Sequence, residues 1–179
     1  MDPAVTWLVS LGAAIIFIAS SAMKLRDLGM FESAVDNYRI LPELLVKPLA
    51  YLIPLIELIA AIAIAAPPSR TAGAAVLLAL LAAFTLAIVV NLARGRYDVD
   101  CGCFGPALKQ TLSWWLVARN GALAIVLALA LLPEAARPLD PLDGVTIGFG
   151  VATLIVLYVS INYVFANIPR LRELRARYA

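Results

Sequence analysis

The sequence predicts an all-α, polytopic transmembrane helix bundle. Three observations carry that expectation. Of 179 residues, 63% are hydrophobic and 15% charged, where soluble domains have roughly 45–50% and about 25%. The mean hydropathy is +0.93. The apolar residues gather into five runs, each near the length of about 20 residues that crosses a bilayer as a helix. The runs are apolar all round, without the period-2 alternation of barrel strands. Backbone groups in lipid must be paired internally, so runs of this kind are expected to be helical.

The spans are expected at residues 4–23, 48–67, 71–93, 111–132 and 145–167. Together they form a single membrane domain over 1–179, four core helices with a fifth spanning helix at the C-terminal end. The first run has no Lys or Arg before it and Lys24 after it. It therefore reads as a retained helix rather than a cleaved signal peptide. Residues 28–41 differ, because Leu28, Phe31, Val35, Tyr38 and Leu41 recur at helical spacing while Asp27, Glu32, Asp36 and Arg39 lie elsewhere around the wheel. That pattern predicts an amphipathic helix on the membrane surface. The second span starts at Pro48, and Pro54 inside it should kink it. Pro67-Pro68 closes it, and the short turn at Ser69-Arg70 makes a tight antiparallel hairpin with the third span. Residues 94–110 form a loop. Pro133 closes the fourth span, and Pro138–Gly144 is a rigid connection to the fifth.

Charge sets the orientation. Five spans put eleven Lys and Arg residues on one side, and only Arg70 and Arg137 on the other. The positive-inside rule then predicts the N-terminus outside and the C-terminus in the cytoplasm. The segment Tyr97–Gln110 comes to the cytoplasmic face. A net charge of +2 gives no basis for nucleic acid as a partner; the lipid bilayer is the expected surroundings. The absence of His removes His-based metal sites and Ser-His triads.

Both cysteines lie in that loop, in Asp98-Val99-Asp100-Cys101-Gly102-Cys103-Phe104-Gly105-Pro106. Gly102 lets the backbone bend enough to bring two sulfurs together. A Cys-x-Cys disulfide closes a small ring, and ring strain suits a bond that cycles. Asp98 and Asp100 should raise a neighbouring thiol's pKa, whereas Arg94, Arg96 and Lys109 should lower it. Three readings stand together: a dithiol/disulfide exchange pair, a two-thiolate chelate for a soft ion such as Cu(I) or Zn, and two free thiols in a tight turn. A closed zinc site usually needs four ligands, so no metal site is assigned. No cofactor is assigned either; a quinone-linked oxidase would fit, but no quinone motif is readable.

Glu57 and Arg119 are ionisable residues well inside apolar spans, which marks functional or packing sites. Each lies nine residues after the start of its uncharged run, at Pro48 and Gln110. Parallel spans rising about 1.5 Å per residue put both at a near-central depth. A Glu57–Arg119 pair is therefore expected, with Asn120 and Asn91 as further polar candidates. Its role is either to fix helix packing or to line a polar cavity. Lys24, at the end of its span, is expected to snorkel to the interface. Trp114-Trp115 fit an aromatic belt.

Cys101-Gly102-Cys103-Phe104-Gly105, after an apolar span and before one carrying Arg119-Asn120, resembles the MauE family of methylamine-utilisation membrane proteins, within the broader MauE/DoxX group. Lys24, the stretch Phe31…Tyr38-Arg39-Ile40-Leu41-Pro42, and Glu57 soon after Pro54 agree with it. The resemblance covers Val5–Leu132. It implies a multi-pass protein of the bacterial inner membrane, tied to thiol–disulfide chemistry and to a thioredoxin-like partner. In methylamine gene clusters such proteins are linked to maturation of the disulfide-rich small subunit of methylamine dehydrogenase. By that resemblance Cys101 and Cys103 are the exchanging pair of a thiol–disulfide oxidoreductase, with Gly102, Phe104 and Gly105 around them. Glu57, Arg119, Asn120 and Lys24 would support the site. Two other functions remain: a non-catalytic scaffold for a redox protein, and soft-metal handling. A partner outside the membrane needs the cysteines open to that side, whereas the charge count places their loop inside.

Overall fold

The computed structural model describes residues 1–102, 110–135 and 137–178, with side chains as far as residue 168. The described chain folds as α1 (Pro3–Arg26), α2 (Leu28–Asn37), α3 (Glu43–Ala65), a 3-10 turn (Pro67–Ser69), α4 (Arg70–Ala93), α5 (Trp114–Leu129) and α6 (Pro141–Tyr178). By length and composition, Pro3–Arg26, Glu43–Ala65, Pro67–Ala93 and Pro141–Ile168 can each cross a membrane. The all-α bundle is as the hydropathy implies.

Local chemistry sets the ends. Pro3 opens α1, and the Asp2 carboxylate accepts from the Ala4 N–H at 2.8 Å, satisfying one orphan donor of the first turn. Asp27 does the same for α2 through the Met30 N–H, 2.9 Å away. The Ser69 hydroxyl donates to the Ala63 carbonyl at 2.9 Å and ties the expected hairpin between α3 and α4. Arg137 bridges Asp2 (3.1 Å) and Asp143 (3.0 Å), fastening the connection before α6 to the start of the chain. Its bonds hold the Asp2 carboxyl below the usual carboxylate range.

Several boundaries differ from expectation. α3 starts at Glu43, five residues before Pro48, and continues through both Pro48 and Pro54. α2 stops at Asn37 because the chain turns at Arg39, whose φ is +48°. α5 is 16 residues long, about 24 Å at 1.5 Å per residue, rather than spanning 111–132. Its start is delayed because Gln110–Leu112 run extended beside Val99–Cys101, with an antiparallel bridge between Asp100 and Thr111.

α1, α3, α4 and α5 pack in a ring, each against the next, and α6 lies against α1. The ring's core is built from Ala13, Ala14 and Phe17 of α1, Ala61 and Ile64 of α3, Leu77 and Leu81 of α4, and Leu127 of α5. Small residues let the backbones approach, as membrane packing requires. Gly73 marks the tightest approach: a Cβ there would meet the Ile64 nitrogen at 2.5 Å and the Ala60 carbonyl oxygen at 2.7 Å. Neither backbone atom can move aside alone. Gly73→Ala is expected to cost about 1–3 kcal/mol, read as a lower thermal midpoint in detergent; an unchanged midpoint would show that α3 and α4 are not this close. Large apolar side chains such as Ile59, Leu86, Ile125 and Phe149 face outward, a continuous demand for lipid that a soluble monomer would not carry.

Candidate functional site

Among the described residues, the bundle holds polar assemblies around Glu57 and around Arg119. The first is an ion pair. Lys24 of α1 donates from Nζ to Glu57 Oε2 of α3 at 2.5 Å, both side chains being at most 5% exposed. The ammonium also sits over the rings of Phe31 (5.4 Å) and Phe84 (4.9 Å). Glu57 is thus paired with Lys24, not with Arg119, and Lys24 does not snorkel. The reason is the helix order: α3 is flanked by α1 and α4, so α1 brings its basic residue to Glu57 while α5 stands across the ring. The expected common depth does hold. Lys24, Glu57, Arg119 and Asn120 line one cavity of about 40 Å³ with Phe84 and Tyr158.

The second assembly is built on Arg119. Its guanidinium donates to Asn162 Oδ1 at 3.1 Å, Gln110 Oε1 at 3.3 Å and Asn120 Oδ1 at 3.2 Å. Asn120 passes the chain on to the Thr85 hydroxyl, 3.1 Å away. Gln110 Nε2 donates to the Asn162 carbonyl at 3.2 Å. All four of Gln110, Arg119, Asn120 and Asn162 are buried. Buried donors and acceptors that are mutually satisfied hold a unique geometry, because losing one strands the others.

Gln110 joins this network to the cysteine loop. Its backbone carbonyl accepts from the Cys101 N–H at 2.8 Å, and the Leu112 N–H donates to the Val99 carbonyl at 2.9 Å. The Asp100 carboxylate accepts from the Gly102 N–H at 3.2 Å, with Gly102 at φ +68°. From the other side α2 lies over the loop. The Tyr38 hydroxyl donates to the Cys101 carbonyl at 3.4 Å. Burial first, and the Asp100 charge second, hold that phenol well above its usual pKa. Arg96 donates to the Tyr38 carbonyl and to Asn91 Oδ1, and Arg94 to the Arg39 carbonyl. These arginines fasten the link between α2 and α3 to the end of α4. The amphipathic face of α2 therefore buries Phe31 and Ala34 on protein, beside Gly102.

Cys101 is 3% exposed and disulfide-bonded. Cys103, Phe104 and Gly105 lie outside the described residues. Trp114 is 59% exposed, whereas Trp115 stacks on Phe165 of α6 at 3.6 Å. Sequence reasoning passed over Gln110, Asn162 and the hydroxyl of Tyr38. Asn162 did carry a signal, an amide inside an apolar span.

The family described as "Methylamine utilisation protein MauE" matches residues 2–133. Among curated proteins, "Methylamine utilization protein MauE" of Paracoccus denitrificans is 37% identical over 161 residues, 89% of this chain and 87% of that protein. The protein of the same name from Methylorubrum extorquens is 37% identical over 88% of this chain and 85% of its own length. That of Methylophilus methylotrophus is 37% identical over 93% and 86%. No solved structure gives a significant match.

Proposed function

The chain belongs to the MauE family of methylamine utilisation proteins, and on that premise we propose that it is an inner-membrane thiol–disulfide relay. It works with a thioredoxin-like partner in support of methylamine dehydrogenase maturation. The observation that carries this reading is the state and setting of Cys101: a disulfide sulfur on a loop whose neck is gripped by Gln110, Arg119 and Asn162. A structural crosslink one residue long would restrain almost nothing, because stabilisation by a disulfide grows with the loop it closes. A network fixing the loop around such a bond makes sense for a bond that reacts.

The chemistry is exchange through a mixed disulfide. A thiolate of one protein attacks a sulfur of the other's disulfide, and the released thiolate of that pair takes up a proton. The remaining thiol then displaces the mixed disulfide, so that one pair ends oxidised and the other reduced. Cys101 and Cys103 are the pair in this chain. Glu57, Lys24, Arg119 and Asn120 hold the helices that carry it. The distribution of Lys and Arg supports an outside N-terminus and a cytoplasmic C-terminus.

Maleimide-polymer labelling in native membranes tests the relay. Both thiols are expected to be protected until reduction, and one of Cys101→Ser and Cys103→Ser should trap a mixed disulfide with a thioredoxin-fold protein. Thiols that label freely under oxidising conditions would overturn the relay. So would a double Cys→Ser chain that fully supports methylamine dehydrogenase maturation, which is the behaviour of a scaffold. The same labelling of a cysteine added at the C-terminus should require permeabilised cells; labelling of intact cells would reverse the orientation.

A further inference from the structure

A cleft of about 250 Å³ lies between α2, α3 and α4, and Cys101 forms part of its wall. The rest is hydrocarbon from residues such as Phe31, Leu49, Ile53 and Phe84, with Tyr38 beside Cys101. The volume lies just below the range of ligand pockets, which run from about 300 Å³ upward. It holds a flat ring with a short tail, not a whole lipid. Ile40 lines the cleft and is 42% exposed, so the cleft opens to the outside of the bundle there.

We infer that this cleft binds the head ring of a membrane quinone and that the quinone reoxidises the cysteine pair. Three features point to this occupant. The wall contains Cys101, a residue in disulfide form, so a ligand in the cleft lies beside a two-electron redox group. The described lining offers one hydroxyl, that of Tyr38, whose bond to the Cys101 carbonyl is long at 3.4 Å and would be exchanged for one to a ring carbonyl. A phenol is a donor at physiological pH. All other lining groups are apolar, as a hydrocarbon-soluble ring requires. An acyl chain would need neither the phenol nor the sulfur.

The inference rests on the relay and gives it a direction. A partner dithiol reduces the chain's disulfide by exchange. The two thiols of Cys101 and Cys103 then lose two electrons and two protons as their S–S bond re-forms. The quinone takes up both electrons and both protons and leaves as the quinol. Electrons thus pass from the partner to the membrane pool, and the partner is left oxidised.

The test uses the purified full chain in detergent, with decylubiquinone as the probe. Pre-reduced protein is expected to consume about one equivalent of quinone while both thiols disappear. Ala83, on the cleft side of α4 and exposed to it, can carry a larger side chain without entering the core. Ala83→Phe should lower the rate at least about tenfold, and Tyr38→Phe several-fold, the worth of one hydrogen bond. If reduced thioredoxin exchanges with the disulfide but decylubiquinone leaves the thiols untouched, the quinone inference falls and the relay stands. A second readout is independent of the relay. In the double Cys→Ser chain, a photoreactive azidoquinone should label α2 or α4, be displaced by decylubiquinone and fail to label Ala83→Phe. Labelling that is spread over the protein, or displaced equally well by phospholipid, would overturn the site.

Discussion

Lys24→Met is expected to destabilise the folded bundle by about 3–5 kcal/mol, the cost of leaving one member of a buried ion pair alone. Its partner Glu57 is cut off from bulk solvent, since the pair is at most 5% exposed. The ammonium's contacts with Phe31 and Phe84 disappear in the same variant and add to the loss. At roughly 2–4 °C per kcal/mol for a chain of this size, the thermal midpoint in detergent should fall by on the order of 10 °C. Glu57→Leu should do similar damage by stranding the lysine. The double variant, Lys24→Met with Glu57→Leu, should recover most of the stability, because an apolar pair in a buried site is often no worse than an ionic one. A double variant that recovers stability but not thiol exchange would assign the pair to the site rather than to packing. Single variants as stable as the natural chain would mean that the pair is hydrated, against the burial described.

The apolar helices are legible because the physics that makes them is local. A run of about 20 apolar residues in lipid has one way to satisfy its backbone. The placement of the cysteines is legible for a related reason, since two cysteines around a glycine between charged residues stand out from an apolar background. The pairing of charges is not local. Glu57 and Arg119 do lie at one depth, as a count along their helices implies, but depth does not say which helices are neighbours. In the ring α1–α3–α4–α5, the helices carrying Glu57 and Arg119 are diagonal to each other, and α1 carrying Lys24 is adjacent to α3. Lys24 looks interfacial in sequence because it ends an apolar run; α2 folding back with Phe31 above it is what buries it. The grip on the loop is equally hidden. Gln110 and Asn162 are 52 residues apart, and an amide–amide bond across that separation leaves no pattern in either segment. Pro48 misleads in the other direction: proline usually begins or breaks a helix, yet α3 runs through it.

Gly102→Ala is expected to uncouple the cysteine loop from α2. Two costs fall on one methyl group. At φ +68° a residue with a Cβ pays about 1–2 kcal/mol to hold the left-handed conformation. The new carbon would also stand 2.7 Å from Ala34 Cβ and 3.6 Å from Phe31 Cδ2, and relieving such overpacking costs typically about 1–3 kcal/mol. The cheapest relief is for α2 to lift, because α2 is short and the loop's other side is held by Gln110. Lifting it breaks the Tyr38–Cys101 bond and opens a wall of the cleft. The variant should therefore stay folded, since the ring core of α1, α3, α4 and α5 contains no residue of α2. After reduction its Cys101 should react with maleimide several-fold faster than in the natural chain, as a buried thiol gains access. Ala34→Gly placed in the same chain removes the clash but not the conformational cost, so it should restore part of the protection. If Gly102→Ala labels at the natural rate, the loop is not held by α2. If Ala34→Gly restores nothing, the backbone conformation alone is what keeps Cys101 buried.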